Sequence, residues 1–76
     1  MNRSNGYFDY SKLKGRTKEK ELRQEDLAHI MGISPTTYSQ KINNKSLFTQ
    51  NEIEALIMPL AILPIEIGAY FFVLKV

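Results

Sequence analysis

Seventy-six residues make one domain at most, and a chain this short buries only about 60% of the surface its unfolded form exposes. It has no Cys and one His, so there is no disulfide or thiolate metal site to add stability, and little material for a His-based metal cluster or a Ser-His-Asp triad. Hydrophobic residues at 43% make it globular, and the net charge of +2 is spread unevenly, with seven basic and three acidic side chains in residues 1–23 against one and three in residues 46–76.

In chain order, residues 1–8 read as a loose arm. Asn5-Gly6 is a turn signal, and Tyr7, Phe8 and Tyr10 are apolar enough to anchor the arm on the body. The N-terminus shows no apolar run of the secretory kind. Ser11 is placed to cap a first helix over residues 11–20, with Leu13 and Thr17 on one face. Gly15 lowers helix propensity there and leaves room for another backbone. A second helix is expected from Gln24 to Met31, with Leu27, Ala28, Ile30 and Met31 on its buried side. Its first turn holds Glu25 and Asp26, where the helix dipole favours anions. Gly32 suits the position after its end. Ser34 then caps a third helix, Pro35 takes the first helical position, and the helix runs to about Asn43 with Tyr38 and Ile42 inward.

Asn43-Asn44-Lys45-Ser46 reads as a turn. Thr49 and Glu52 form a capping box for a fourth helix, whose apolar stripe is Ile53, Leu56 and Ile57. Pro59 ends or kinks it near Met58. Pro64 opens a short fifth helix over residues 64–71, and the aromatic and β-branched tail to Val76 suits helix, strand or both. Residues 55–74 carry one charge, but Pro59, Pro64, Glu66 and Gly68 interrupt them and no basic cluster flanks them, so a core helix pair is expected and no membrane partner. The fold class is all-α: a compact bundle of about five short helices, with an arm over residues 1–8 and one domain over 9–76.

The run from Gln24 to Asn43 carries the functional signal. Two short helices meet at a tight turn, Ala28 is small where they cross, and Gly32 supplies positive φ. The second of the pair buries Ile33, Tyr38 and Ile42 and shows Thr36, Thr37, Ser39, Gln40 and Lys41, with no acidic side chain between Ser34 and Glu52. An apolar back and a front of neutral hydrogen-bonders plus a cation is what a helix in a DNA major groove requires. Here the chain resembles the helix-turn-helix domains of the phage repressor and Cro type. Gln24, Ala28 and Gly32 have the matching spacing. The runs Phe8–Arg16, Ser34–Thr37, Lys41–Lys45, Phe48–Ile53 and Glu66–Phe72 extend the likeness to small regulators encoded by prophages of Gram-positive bacteria, over roughly residues 7–74. The chain departs from that pattern at Arg23, where relatives carry a capping Thr or Ser, and at Pro59.

The resemblance implies that the third helix reads operator DNA, often as a dimer on an inverted repeat. Gln24 would then hold a backbone phosphate at a helix N-terminus. Thr36 and Gln40, four apart, share a face suited to base edges; Gln pairs with adenine and a Thr methyl meets a thymine methyl. Thr37, Ser39 and Lys41 flank them, Pro35 offers a thymine contact, and Asn43, Asn44 and Lys45 would follow the sugar-phosphate backbone. A plain polar surface explains each of these residues too. Lys12, Lys14, Arg16 and Lys18 read as a solvated stripe, of which Lys12 and Lys14 add long-range attraction, and Asn2-Arg3-Ser4 could reach a neighbouring groove. His29 and Glu52 are expected on the surface.

Phe71, Phe72, Val73, Leu74 and Val76 form an apolar end that either folds back over the body or pairs with its copy as a strand. The sequence-level expectation is a double-stranded DNA-binding transcription regulator, cytoplasmic, homodimeric at least on DNA, with no cofactor, metal or small-molecule ligand. The alternative is an antitoxin or anti-repressor that uses the same scaffold to bind protein. An enzyme is not expected, for want of convergent acid, base or nucleophile.

Overall fold

The first helix owes its start to a residue two places before it. α1 spans Ser11–Glu19, and the Asp9 carboxylate, rather than the Ser11 hydroxyl, caps it. Asp9 Oδ1 accepts from the Ser11 amide at 2.9 Å and from its hydroxyl at 2.6 Å. Those two bonds hold the Asp9 carboxyl below its ordinary range, the hydroxyl bond contributing most, with Lys75 and Lys14 adding attraction. Leu13 and Thr17 face inward, and the Thr17 hydroxyl is satisfied by the Leu13 carbonyl at 2.8 Å. Gly15 lies on the exposed side with no neighbour within 4 Å of where a Cβ would sit, so no backbone approaches it.

The computed structural model that shows this describes residues 7–75. It is an all-α bundle: α1, α2 (Gln24–Met31), α3 (Pro35–Ile42), α4 (Gln50–Ile57), one 3-10 turn (Pro64–Glu66) and α5 (Ile67–Phe71). The expected breaks and caps are largely in place. Ser34 Oγ accepts from the Thr37 amide at 3.1 Å. Thr49 and Glu52 exchange bonds of 3.2 and 2.8 Å between side chain and backbone. α4 ends two residues before Pro59. The fifth helix opens with a 3-10 turn rather than a uniform helix from Pro64, and the Glu66 carboxylate takes the Leu63 amide at 3.0 Å. At α2 the Arg23 side chain has no acceptor to offer. Asp26 covers the helix start instead, taking the Arg23 amide at 2.8 Å.

The core gathers one or two residues from every α-helix. Leu13, Leu27, Ala28, Leu56 and Leu60 are fully enclosed, with Tyr10, Tyr38, Ile42, Ile62, Tyr70 and Phe71 beside them. The Phe48 ring meets Tyr10, Tyr38 and Phe71 edge-on at 5.3 to 5.9 Å, joining the start of α1, α3 and α5. Ile30, expected inside, is exposed. Arg16 ties α1 to the loop after α4 through the Leu60 carbonyl at 3.3 Å, and stacks on Tyr70 at 5.5 Å.

The two ends of the described chain meet. Phe8 and Leu74 form an antiparallel bridge, flanked by Asp9 N–H to Val73 C=O at 2.6 Å and Lys75 N–H to Tyr7 C=O at 3.1 Å. Asn44 binds the other edge of the arm: its Oδ1 accepts from the Phe8 amide at 2.7 Å and its Nδ2 donates to the Phe8 carbonyl at 3.0 Å. Tyr7 and Phe8 therefore belong to the body, while residues 1–6, including Arg3, lie outside the described residues, as does Val76. Among the described residues no helix is long and apolar enough to cross a membrane.

Candidate nucleic-acid interface

The turn between α2 and α3 sets the angle of the outward helix. Gly32 adopts φ +74°, its amide donates to His29 at 3.1 Å, and the Ile33 amide reaches back to Ala28 at 2.9 Å. This left-handed closure ends α2 and turns the chain within three residues. Ala28 is completely enclosed, so no side chain separates the two helices there. α3 then starts on its Ser34 cap, backed by buried Tyr38 and Ile42.

The outward side of α3 carries Pro35, Thr36 and Gln40 exposed, with Thr37 and Ser39 half-buried. Thr36 and Gln40 sit one turn apart with no side-chain hydrogen bond among the described residues, so their polar groups are free to meet a partner. Thr37 is partly occupied, because its hydroxyl shares a 2.9 Å hydrogen bond with Ser34. Gln24 is exposed at the first position of α2. Lys45 is exposed just beyond α3.

Three expected contacts fall elsewhere. Lys41 does not point outward: it is 7% exposed, and its Nζ lies 3.1 Å from Glu52 Oε1 and 2.9 Å from the Leu47 carbonyl. Glu52 is correspondingly half-buried rather than solvent-facing. Asn44 spends its amide on Phe8 and adopts φ +65°, so it holds the arm instead of facing solvent. Asn43 is exposed, but its Nδ2 is drawn back to the Ser39 carbonyl at 2.8 Å, which closes the end of α3.

The apolar end divides in two. Phe71 is 1% exposed and is a core residue, not a surface for self-association. Phe72, Val73 and Leu74 remain exposed. Phe72 borders a groove of about 710 Å³ whose other walls include Phe48, Ile53, Ile57 and Ile67.

With Lys41 neutralised, the face of α3 is polar and nearly uncharged. Two cations of α1 line a cleft shared with the start of α2. Lys14 and Lys18 are exposed and make no ion pair among the described residues, whereas Lys12 and Arg16 of the same helix lie over the Tyr70 ring. Sequence reasoning treated α1 as a uniform basic stripe. The separating signal was available in the helical period, which puts 14 and 18 on one line and 12 and 16 on another.

A family model matches residues 6–73 of the chain, that of a protein of unknown function, DUF739. The chain belongs to the DUF739 family. The match takes in all five helices and stops one residue short of Leu74, so the outward α3 of this DUF739 chain lies wholly inside the shared region. No curated protein matches the chain.

Proposed function

We propose that the chain is a sequence-specific, double-stranded DNA-binding transcription regulator of the phage repressor and Cro type, which occupies an operator with α3. The observation that carries this reading is the outward face of α3. Thr36 and Gln40 stand free on a helix that a left-handed Gly32 turn sets against α2, and no acidic side chain occurs from residue 34 to residue 51. Phosphate repels carboxylates, so an acid-free stretch of this length beside a polar helix face suits a duplex. Gln24 at the start of α2 and Lys45 after α3 flank that helix and would take backbone phosphates, which position the protein without reading sequence. Ser39 and Pro35 complete the rim. Such a regulator works in the bacterial cytoplasm.

A homodimer fits the same reading. Phe72, Val73 and Leu74 are exposed, and the side of Leu74 away from Phe8 has no backbone partner among the described residues. A two-fold axis there would place two copies of α3 about one helical turn of DNA apart, near 34 Å. The groove beside Phe72 also favours a second reading, an antitoxin or anti-repressor that docks a protein segment on the same scaffold.

Fluorescence-anisotropy titration on DNA flanking the chain's own gene separates the two. Wild-type protein is expected to prefer that DNA over random duplex by at least tenfold. The Thr36→Ala/Gln40→Ala double variant, folded by circular dichroism, should keep weak salt-sensitive binding and lose the preference. Absence of any preference and of any salt dependence in the wild type would sink the regulator reading.

A further inference from the structure

We infer that Lys41 is a positioning residue for the outward face of α3: its buried ammonium, held between Glu52 and the Leu47 carbonyl, fixes the roll of the helix and so the direction in which Thr36 and Gln40 face. Its part in recognition rests on the regulator reading above, whereas the orientation it sets is a property of the free chain.

Lys41 lies in the last turn of α3, yet its side chain is only 9% exposed and that of Glu52 only 13%. Nζ stands 3.1 Å from Glu52 Oε1 and donates to the Leu47 carbonyl at 2.9 Å. The same Oε1 accepts from the Thr49 amide at 2.8 Å, and the Thr49 hydroxyl accepts from the Glu52 amide at 3.2 Å. The ammonium is thus tied both to the capping box that starts α4 and to the loop just before it. Among the described residues, Lys41 is the only residue of α3 whose side chain hydrogen-bonds beyond the helix and its two caps.

The rest of the footing of α3 is apolar, through buried Tyr38 and Ile42. Apolar contact follows the area removed from water and hardly distinguishes one roll angle from the next. Hydrogen bonds do distinguish, because they weaken steeply when stretched or bent. Gln40 adjoins Lys41, about 100° round the helix. A roll of about 20° carries a group about 6 Å from the axis through about 2 Å. Binding groups must be held within about 0.5 Å of their working place, so such a roll loses a base edge. Stability gives the pair no comparable reason to exist. Apolar side chains often replace a buried ion pair at little cost, since desolvation offsets the attraction. Nor does Lys41 serve DNA by charge, because Glu52 neutralises it inside the fold.

The test sets the whole wild-type chain beside Lys41→Met/Glu52→Gln. This exchange removes one cation and one anion, leaves the net charge at +2, and keeps an oxygen at residue 52 for the Thr49 amide. The variant should melt close to the wild type. Residual dipolar couplings of the free protein should show α3 turned relative to α4. Its preference for the gene-flanking duplex over random duplex should fall about fivefold, the low end of what one good base contact contributes. Affinity for random duplex and its salt dependence should stay level, since no phosphate contact is lost. Glu52→Gln alone should show smaller changes of the same kind. Gly32→Ala, which weakens the fold elsewhere, should keep the preference, so lost stability does not imitate the effect. Unchanged couplings overturn the inference whatever the preference does. Changed couplings with an intact preference overturn it too, because Thr36 and Gln40 then do not depend on the roll. A wild type that prefers no duplex sinks the regulator reading instead, and the couplings still decide whether Lys41 orients α3.

Discussion

Lys41 shows how one tertiary partner redirects a side chain. Helical spacing sets it next to Gln40 on a polar helix, and nothing within the helix marks it as different. Glu52, anchored by its own capping box on α4, draws the ammonium inward, and the Leu47 carbonyl completes its shell. Burial raises the Glu52 carboxyl, but the Thr49 amide, the Lys41 ammonium and the Thr49 hydroxyl together outweigh burial and hold it below its ordinary 4.5. A carboxyl whose folded value is depressed stabilises the fold at pH above its unfolded value. That contribution drains away as pH falls through the folded value. Urea midpoints at pH 7 and pH 3 should therefore differ more for the wild type than for Glu52→Gln, and Asp9→Asn should narrow the gap again. Lys41→Met, which leaves Glu52 half-buried without its cation, should cost roughly 1–3 kcal/mol at pH 7 in the same measurement.

At the scale of elements, the helix boundaries were mostly legible because their causes are local. Ser34 with Pro35, Thr49 with Glu52, and Pro59 each act within four residues of the boundary they set. α1 starts at Ser11 as expected, but its capping group differs, because two plausible caps, Asp9 and Ser11, stand close together. The geometry favours the carboxylate, which accepts from both the amide and the hydroxyl of Ser11. Ile30 was misread for a different reason: an eight-residue helix has little more than two turns, so its apolar stripe is poorly fixed by period alone. Gly32 is the one glycine whose backbone requires its type. Gly32→Ala would meet no atom within 4 Å, so its cost comes from φ +74° alone. A loss of about 1 kcal/mol in chemical denaturation is expected, with the preference for operator DNA retained.

Across the whole molecule, the uneven charge seen in the sequence resolves into two separate uses. Lys12 and Arg16 pack on Tyr70, while Lys14 and Lys18 stay free beside α2. Asn44 could be read as a left-handed turn residue, and it is one. That its amide would reach Phe8, 36 residues earlier, was not legible, since no local signal encodes so distant a partner. Asn44→Gly keeps the backbone conformation available and deletes the amide. It should lower stability by roughly 1–3 kcal/mol, the cost of leaving a partly buried peptide without partners, and leave the helix content by circular dichroism unchanged.

The arm–tail bridge also bears on how the chain reaches its native state. α2 and α3 are joined by a three-residue turn and can dock early, because bringing them together closes a very short loop. Phe8 and Leu74 stand at opposite ends of the described chain, and their pairing closes the longest loop in the molecule. Its entropy must be lost before any bond repays it, which puts the bridge after the rate-limiting step. Asn44→Gly should then accelerate unfolding and leave the refolding rate nearly untouched. In native-state hydrogen exchange, the Asp9 and Lys75 amides should exchange well ahead of Leu27 and Leu56, despite being hydrogen-bonded. The fold, on this view, opens first at its seam and keeps its outward helix until last.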